Sequence, residues 1–282
     1  MQRVSLVELL NLAREVVSCR RLTAQWFQLS LAYLRVRRLE YPCELRLRTG
    51  DVLVLHELTD VVIFWMVFLR QHYPVTASDE TIVDIGANIG VFTLYAARTA
   101  PSATIIAVEP FPDTCERLNE TIRANHLENR VLVVRCAITA SQGTAFMDDS
   151  ANVPSQYRSV LSEVPRMLNE NHKQHSQPVK GVPVPTSTLA EFLAKQHLDH
   201  LDLLKMNIHG NEYEVLLSSG PAALQRFRRI ALQYHEVPAR FGLGKKDLFG
   251  QLVKAGFQLV VDADTRRGAG RAILALASPQ PA

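Results

Sequence analysis

The block Val83–Asp84–Ile85–Gly86–Ala87–Asn88–Ile89–Gly90 joins an apolar run to a glycine-bearing turn, and Glu109 closes a second apolar run 25 residues after Asp84. Glycine lets a backbone turn sharply and approach a ligand closely. In an open α/β sheet, ligands dock where the carboxyl ends of strands meet the following helices. A dinucleotide site asks for G-x-G-x-x-G, whose middle glycine admits a pyrophosphate. Here the spacing is G-x-x-x-G, the middle position is Ala87 or Asn88, and Asp84 would repel a phosphate. S-adenosylmethionine has no phosphate; its ammonium and sulfonium centres suit a carboxylate at that strand. Glu109 suits its ribose, because both hydroxyls can donate to one carboxylate and an acid roughly 20 residues past the turn is the usual partner. The turn Asp84–Gly90 is thus the expected donor site, and a nicotinamide-dependent oxidoreductase is the less favoured reading.

Positioning these residues requires regular elements. The first 40 residues are helical in pattern, with Leu6, Leu9, Leu10, Ala13 and Val17 on one stripe and Trp26, Phe27, Ser30 and Leu34 beginning another. Glu44–His56 alternates around Leu45, Leu47, Val52 and Val54, with Thr49–Gly50–Asp51 as the turn of a hairpin. The longest apolar run, Val61–Leu69, is far short of the roughly 20 residues a membrane span needs and reads as buried core. From Thr81 a strand–helix rhythm begins: strands at Thr81–Asp84, Thr104–Glu109 and Val131–Arg135, with helices at Val91–Arg98 and after Asp113, where Asp113 and Glu116 resemble a capping box. Residues 140–181 are polar and break the rhythm, with one short helix suggested by Val160, Leu161, Val164 and Leu168; this is the expected lid or substrate loop. The rhythm resumes with a helix at Leu189–Lys195, strands at Leu201–Ile208 and Arg229–Tyr234 separated by a helix ending at Gly220–Pro221, and a helix near Asp247–Lys254. Strands Phe257–Val261 and Ala272–Ala277 lie too close for a helical crossover and should pair antiparallel. The pattern predicts a doubly wound α/β sheet with one reversed strand, carried by a domain over 44–282 behind a helical extension over 1–43.

At the turn and at Glu109 the sequence resembles the FkbM-type S-adenosylmethionine-dependent methyltransferases. The resemblance runs from about Leu47 to Leu259 and rests on Val83–Thr93 and Val108–Pro112, supported by Leu47–Asp51, Leu201–Leu216 and Tyr234–Glu236. It implies the Rossmann-like class I methyltransferase fold, a seven-strand sheet with a terminal antiparallel hairpin, and O-methylation of a hydroxyl on a sugar or natural product. It also implies that Asp84, Gly86, Asn88 and Glu109 hold the donor, with Ala87 and Gly90 in the same turn, and that Pro110 and Phe111 border the adenine.

The fourth-strand block departs from the family pattern Lys-Ile-Asp-Val-Glu-Gly-x-Glu. Lys205, Gly210 and Glu212 keep their places, but Asn207 stands for an aspartate and His209 for a glutamate, and the next strand carries Gln233, His235 and Glu236. The catalytic candidates are therefore His209, Asn207, Glu212 and His235. Histidine, with an unperturbed pKa of about 6.5, can accept a hydroxyl proton at neutral pH, so His209 is the candidate general base, oriented by Glu212 or Glu236. The rival reading is a methyltransferase-fold binding protein that has lost its acids, and N-methylation also stays open. No metal is expected: His235 and Glu236 point to opposite faces of a strand, hard cations prefer carboxylates that Asn207 and Gln233 lack, and His172 and His175 have no cysteines nearby.

Of 282 residues, 47% are hydrophobic and 21% charged, which excludes a disordered chain. Residues 1–50 hold nine Lys/Arg against four Asp/Glu, while the remainder is mildly acidic, so no basic face for nucleic acid is expected. Arg35, Arg37 and Arg38 read as a solvated helix end, with binding to an acidic partner or a membrane surface as the less favoured reading. Cys19, Cys43, Cys115 and Cys136 form no paired motif and read as reduced thiols of a cytoplasmic protein without a signal peptide. The expected partner is a small-molecule acceptor, and the N-terminal helices are candidates for a homodimer interface or for part of the acceptor pocket.

Overall fold

The computed structural model describes residues 6–148, 181–235, 244–264 and 270–277. Two helices open it, α1 (Leu6–Leu22) and α2 (Trp26–Tyr33), followed by a hairpin of β1 (Cys43–Arg46) and β2 (Val52–Leu55). The face of α1 that packs is Leu12, Val16, Cys19 and Leu22. Leu9, Leu10, Ala13 and Val17 point outward, the reverse of the sequence expectation. Both stripes are apolar at helical spacing, so periodicity finds two faces and only tertiary packing selects between them. In α2 the buried side chains are Leu29, Ser30, Ala32 and Tyr33, while Phe27 is exposed. In the hairpin Leu45 faces Leu53 and Cys43 faces Leu55, which buries Leu53 and Leu55 and leaves Val52 and Val54 half-buried. That shifts the expected phase of the second strand by one residue, because residues directly opposite share a face.

The apolar run Val61–Leu69 is core, as expected, but it is not one regular helix. Helix α3 (Leu58–Phe64) continues as a single π-helical turn, Trp65–Leu69. Trp65 is fully buried and stacks on Tyr33 with ring centroids 4.3 Å apart. Its indole N–H donates to Glu15 of α1 (2.6 Å), which also receives Arg70 Nε (2.9 Å). The 1–43 segment therefore shares one hydrophobic core with the residues that follow it.

The central sheet is built from β3 (Thr81–Ile85), α4 (Val91–Thr99), β4 (Thr104–Val108), α5 (Pro112–Ala124) and β5 (Val131–Val134), after which the chain leaves the sheet through β6 (Ala137–Ile138), β7 (Gly143–Asp148) and β8 (Gly181–Ser187). It returns through α6 (Leu189–Lys195), β9 (Leu201–Met206), α7 (Glu212–Ser218), α8 (Pro221–Leu224), β10 (Phe227–His235), α9 (Lys245–Lys254), β11 (Phe257–Asp264) and β12 (Gly270–Ala277). The strand order is β11-β12-β10-β9-β3-β4-β5, parallel except for β12, which runs antiparallel to both neighbours. This is the doubly wound seven-strand sheet with a reversed terminal strand. The order reverses between β3 and β9, and there the carboxyl ends open a crevice. Buried on both faces, the central strands read as continuous apolar runs.

Three local expectations change. Helix α5 has no capping box; Phe111 is its N-cap and Pro112 occupies the first turn, where its missing N–H costs nothing. The helix before Gly220 does stop there, α7 ending at Ser218 with Ser219 as its C-cap, but Gly220 also opens a second short helix, α8. Residues 140–181 are not loop throughout: β7 and β8 pair antiparallel, and with β6 they form a separate three-stranded sheet. The helix expected at Val160–Leu168, along with His172, His175 and Glu236, lies outside the described residues.

Candidate functional site

The turn after β3 is held by glycines where no other residue fits. Gly86 has φ +76, and a Cβ there would lie well inside contact distance of the Asn207 carbonyl. Gly90, φ +90, caps α4. Asn88 also adopts positive φ, a conformation that asparagine tolerates. The Gly86 and Ala87 N–H groups both donate to the Val108 carbonyl, which ties the turn to the end of β4.

Asp84 does not face the crevice. Alternation along β3 sends it to the same face as Ile82, beneath α4, where it is fully buried. Its Oδ2 accepts from Thr93 Oγ1 (2.7 Å) and its Oδ1 from Lys205 Nζ (2.7 Å). Both Asp84 oxygens are thus committed inside the protein, to Thr93 and Lys205, where the sequence suggested direct contact with the donor's cationic groups. That ammonium also donates to the Gly86 carbonyl (2.7 Å) and lies 5.7 Å from the ring centroids of Tyr73 and Phe92.

Glu109 follows β4 and is 5% exposed. Its Oε2 accepts the Asn88 N–H (2.9 Å) and its Oε1 the Phe111 N–H (3.2 Å), so the carboxylate fastens both halves of the expected donor site. Burial raises its pKa to about 7, against the pull of those two N–H groups and of Lys205. Pro110 and Phe111 continue the wall, and Phe111 packs on Ala137 and Val184, so the small outer sheet backs this end of the crevice.

At the end of β9, Asn207 donates from Nδ2 to Tyr73 Oη and to Gln233 Oε1, both at 3.3 Å, while Tyr73 donates to the same Gln233 oxygen (3.0 Å). Two neutral amides and a phenol thus form a network that leaves Asn207 Oδ1 buried without a partner. His209 and Gly210 both have positive φ. Glu212 is fully buried and accepts the Ile208 N–H (2.8 Å) and the Gly210 N–H (2.7 Å), clamping the backbone on both sides of His209. His235 is the last residue of β10, opposite Gly270 of β12.

One cleft, open to solvent, connects these parts. Gly86, Ala87, Asn88, Glu109, Pro110, Phe111, Asn207 and His209 all line it; Asp84, Gly90 and Glu212 support it from behind. Lys205 stands out in the sequence as a charge within the apolar run Leu203–Met206, but its role does not. Tyr73, and the wall formed by Ile63, Met66 and Val67 of α3 and its π turn, carried no signal that periodicity can detect. The Asn88 Oδ1 atom is buried in the wall without a partner, an acceptor that a bound nucleoside or amino-acid group can satisfy. Among the described residues no group of three His, Cys, Asp or Glu side chains is placed to hold a metal ion.

A parallel sheet with a reversed penultimate strand in its order, a glycine turn after β3 and a buried acid after β4 define the class I methyltransferase fold. The model of the methyltransferase FkbM domain matches residues 84–259, more than half of the sequence, and the chain belongs to the FkbM methyltransferase family. It is 30% identical over 155 residues to the methyltransferase sdnD of Sordaria araneosa, covering 49% of this chain and 60% of that protein. It is 27% identical over 203 residues to the 31-O-demethyl-FK506 methyltransferase FkbM of Streptomyces tacrolimicus, covering 66% and 75%. The chain thus spans about three fifths of the length of the Sordaria relative. A methyltransferase FkbM structure from Methylobacillus flagellatus aligns with 95% of this chain and 59% of its own, with a TM-score of 0.47 and 12% identity.

Proposed function

We propose that the chain transfers the methyl group of S-adenosylmethionine to a hydroxyl oxygen of a small molecule, a natural product or sugar, with His209 as general base. The observation that carries this reading is that the glycine turn, Glu109 and His209 wall one cleft. The bound donor supplies a methyl carbon already activated by its sulfonium. Glu109 receives the ribose hydroxyls, the glycines of the turn permit close approach, and Pro110 and Phe111 border the adenine. Asp84 acts at one remove, fixing Lys205 and through it the Gly86 carbonyl. His209 takes the hydroxyl proton as the methyl transfers, a contribution of about 10²–10⁴ in rate. The Glu212 clamp holds its backbone, and Asn207 adds a polar group to the cleft wall. Ile63, Met66 and Val67 form an apolar wall for the acceptor, to which the 140–181 segment adds specificity. The Streptomyces relative is itself named for a 31-O-demethyl substrate, which supports oxygen as the acceptor atom. The chemistry needs no metal. We place it in the cytoplasm, in keeping with four free cysteines.

Calorimetric titration with S-adenosylhomocysteine, with NAD for comparison, tests the reading. Saturable binding abolished by Glu109→Ala supports it, and a preference for NAD turns it towards an oxidoreductase. His209→Ala should retain that binding and slow transfer by about 10²–10⁴. Donor binding with no transfer to any acceptor would leave a binding protein, and a methylated amine as product would make the chain an N-methyltransferase.

A further inference from the structure

The outward face of α1 is apolar where a helix on the surface of a globular domain is normally polar. Leu10, Ala13 and Val17 follow one another along it, and Val7 and Leu9 at its edges are bare as well: Val7 is 65% exposed, Leu9 52%, Leu10 53% and Val17 51%. Scattered exposed apolar residues are ordinary, but a continuous stripe marks an interaction surface. Arginines flank it. Helical spacing puts Arg20 on the edge of Leu9, and Arg14 and Arg21 on the edge of Val7; all three are exposed. Arg35, Arg37 and Arg38 follow the end of α2, exposed beside Val36, itself 70% exposed. From Leu6 to Leu39 the acids are Glu8 and Glu15, both only half-buried on the inner side, and Glu15 is committed to Trp65 and Arg70. None of the six arginines has an ion pair among the described residues.

We propose that this face docks on an anionic lipid bilayer. An apolar helix stripe bordered by arginines is the pattern that lies in a membrane interface: the stripe enters the acyl boundary, and the guanidinium groups reach up to phosphates. Charge decides against a second copy of the chain. A two-fold interface sets the same patch against itself, and on α1 it would set Arg14, Arg20 and Arg21 against their own copies, where neither acid of the helix is exposed; the exposed Glu40 lies beyond α2, beside Arg38. The docking helix is also the one whose Glu15 holds the π turn at the cleft wall.

The test is co-sedimentation of the full chain with phosphatidylcholine vesicles, with and without phosphatidylglycerol. The chain should partition onto the phosphatidylglycerol vesicles alone, and added salt should release it. Leu10→Glu with Val17→Glu, and separately Arg14→Glu with Arg21→Glu, should each weaken partitioning by about tenfold or more. Both double variants change only outward side chains, so their circular dichroism and S-adenosylhomocysteine binding should match those of the parent. Absence of binding to phosphatidylglycerol vesicles overturns the proposal, as does undiminished binding by the Leu10→Glu, Val17→Glu protein. A dimer in light scattering that the same variant converts to monomer, with vesicles ignored, would assign the face to a second copy instead.

Discussion

Glu109 is the residue at which structure and chemistry constrain each other most tightly. Burial raises its pKa to about 7, while the ribose-acceptor role proposed for it calls for the ionised form, which can receive two hydroxyl donors at once. Donor affinity should therefore rise with pH through about 7 and level off above it. Glu109→Gln keeps one acceptor oxygen and removes the titration, so its affinity should be weaker by about 10- to 100-fold at high pH and flat across the range. Calorimetry with S-adenosylhomocysteine at several pH values reads both effects; an unchanged slope in the variant would remove Glu109 from the linkage. Gly86 yields a second residue-scale expectation. Alanine there meets the Asn207 carbonyl and an unfavourable φ together, a cost of about 2–4 kcal/mol, so Gly86→Ala should lower the melting temperature and abolish donor binding. Melting temperature and titration together check it. Both residues were legible from type and spacing alone. Asp84 was legible as part of the motif but not in its role, because which face a strand residue takes depends on the layers packed against each side, here α4 with Thr93.

Among the elements, the π turn at Trp65–Leu69 has the largest consequence for the site. It places Met66 and Val67 on the cleft wall while Trp65 turns inward to Tyr33 and Glu15. Glu15→Ala would leave a buried indole N–H and the Arg70 guanidinium without their shared acceptor, with a loss of about 1–3 kcal/mol. The acceptor wall proposed above rests on this contact through the π turn, so the variant should raise KM for the acceptor while leaving S-adenosylhomocysteine affinity unchanged; steady-state kinetics and calorimetry separate the two, and a parallel loss of donor affinity would refute the division. The long parallel strands and their helices were readable because burial on both faces writes a continuous apolar run, and the antiparallel pairing of β11 and β12 followed from a connection too short for a crossover. The π turn was not readable, since one extra residue in a turn leaves an apolar run unchanged. Nor was the outer sheet of β6, β7 and β8, whose strand β8 contains Pro183 and Pro185 and so lacks the usual strand signature. The phase of α1 failed for a different reason: a helix with two apolar stripes does not declare which one is inside.

Across the molecule, two buried acids with raised pKa values give stability a sign that most carboxylates do not. Asp60, beneath the α3 N-terminus, is pushed to about 7 by burial, against the N–H groups of His56 and Glu57 that both donate to its Oδ2. Glu109 is pushed to about 7 in the same way. An acid whose folded pKa lies above its unfolded value binds more protons in the folded state. Its contribution is then complete below the ordinary carboxyl range and is lost as pH rises through about 7. Two histidines act in the opposite sense: burial lowers His72 to about 4 and lowers His56 as well, so their contribution grows as pH rises towards 6.5. The decline owed to the two acids is therefore read as the difference between the parent and each acid's variant across this window. Asp60→Asn should flatten part of the decline with or without donor. The Glu109 part should behave differently, because a bound nucleoside favours the ionised carboxylate and offsets the burial that disfavours it. Saturating S-adenosylhomocysteine should therefore remove the Glu109 share of the slope and leave that of Asp60, so that the bound protein carrying Asp60→Asn keeps neither acid's share and shows only the opposite trend of His72 and His56. Melting curves of the parent, Asp60→Asn and Glu109→Gln with and without the ligand resolve the two shares. A slope that the ligand does not alter would mean that Glu109 remains neutral beneath the nucleoside and donates a hydrogen bond rather than receiving two.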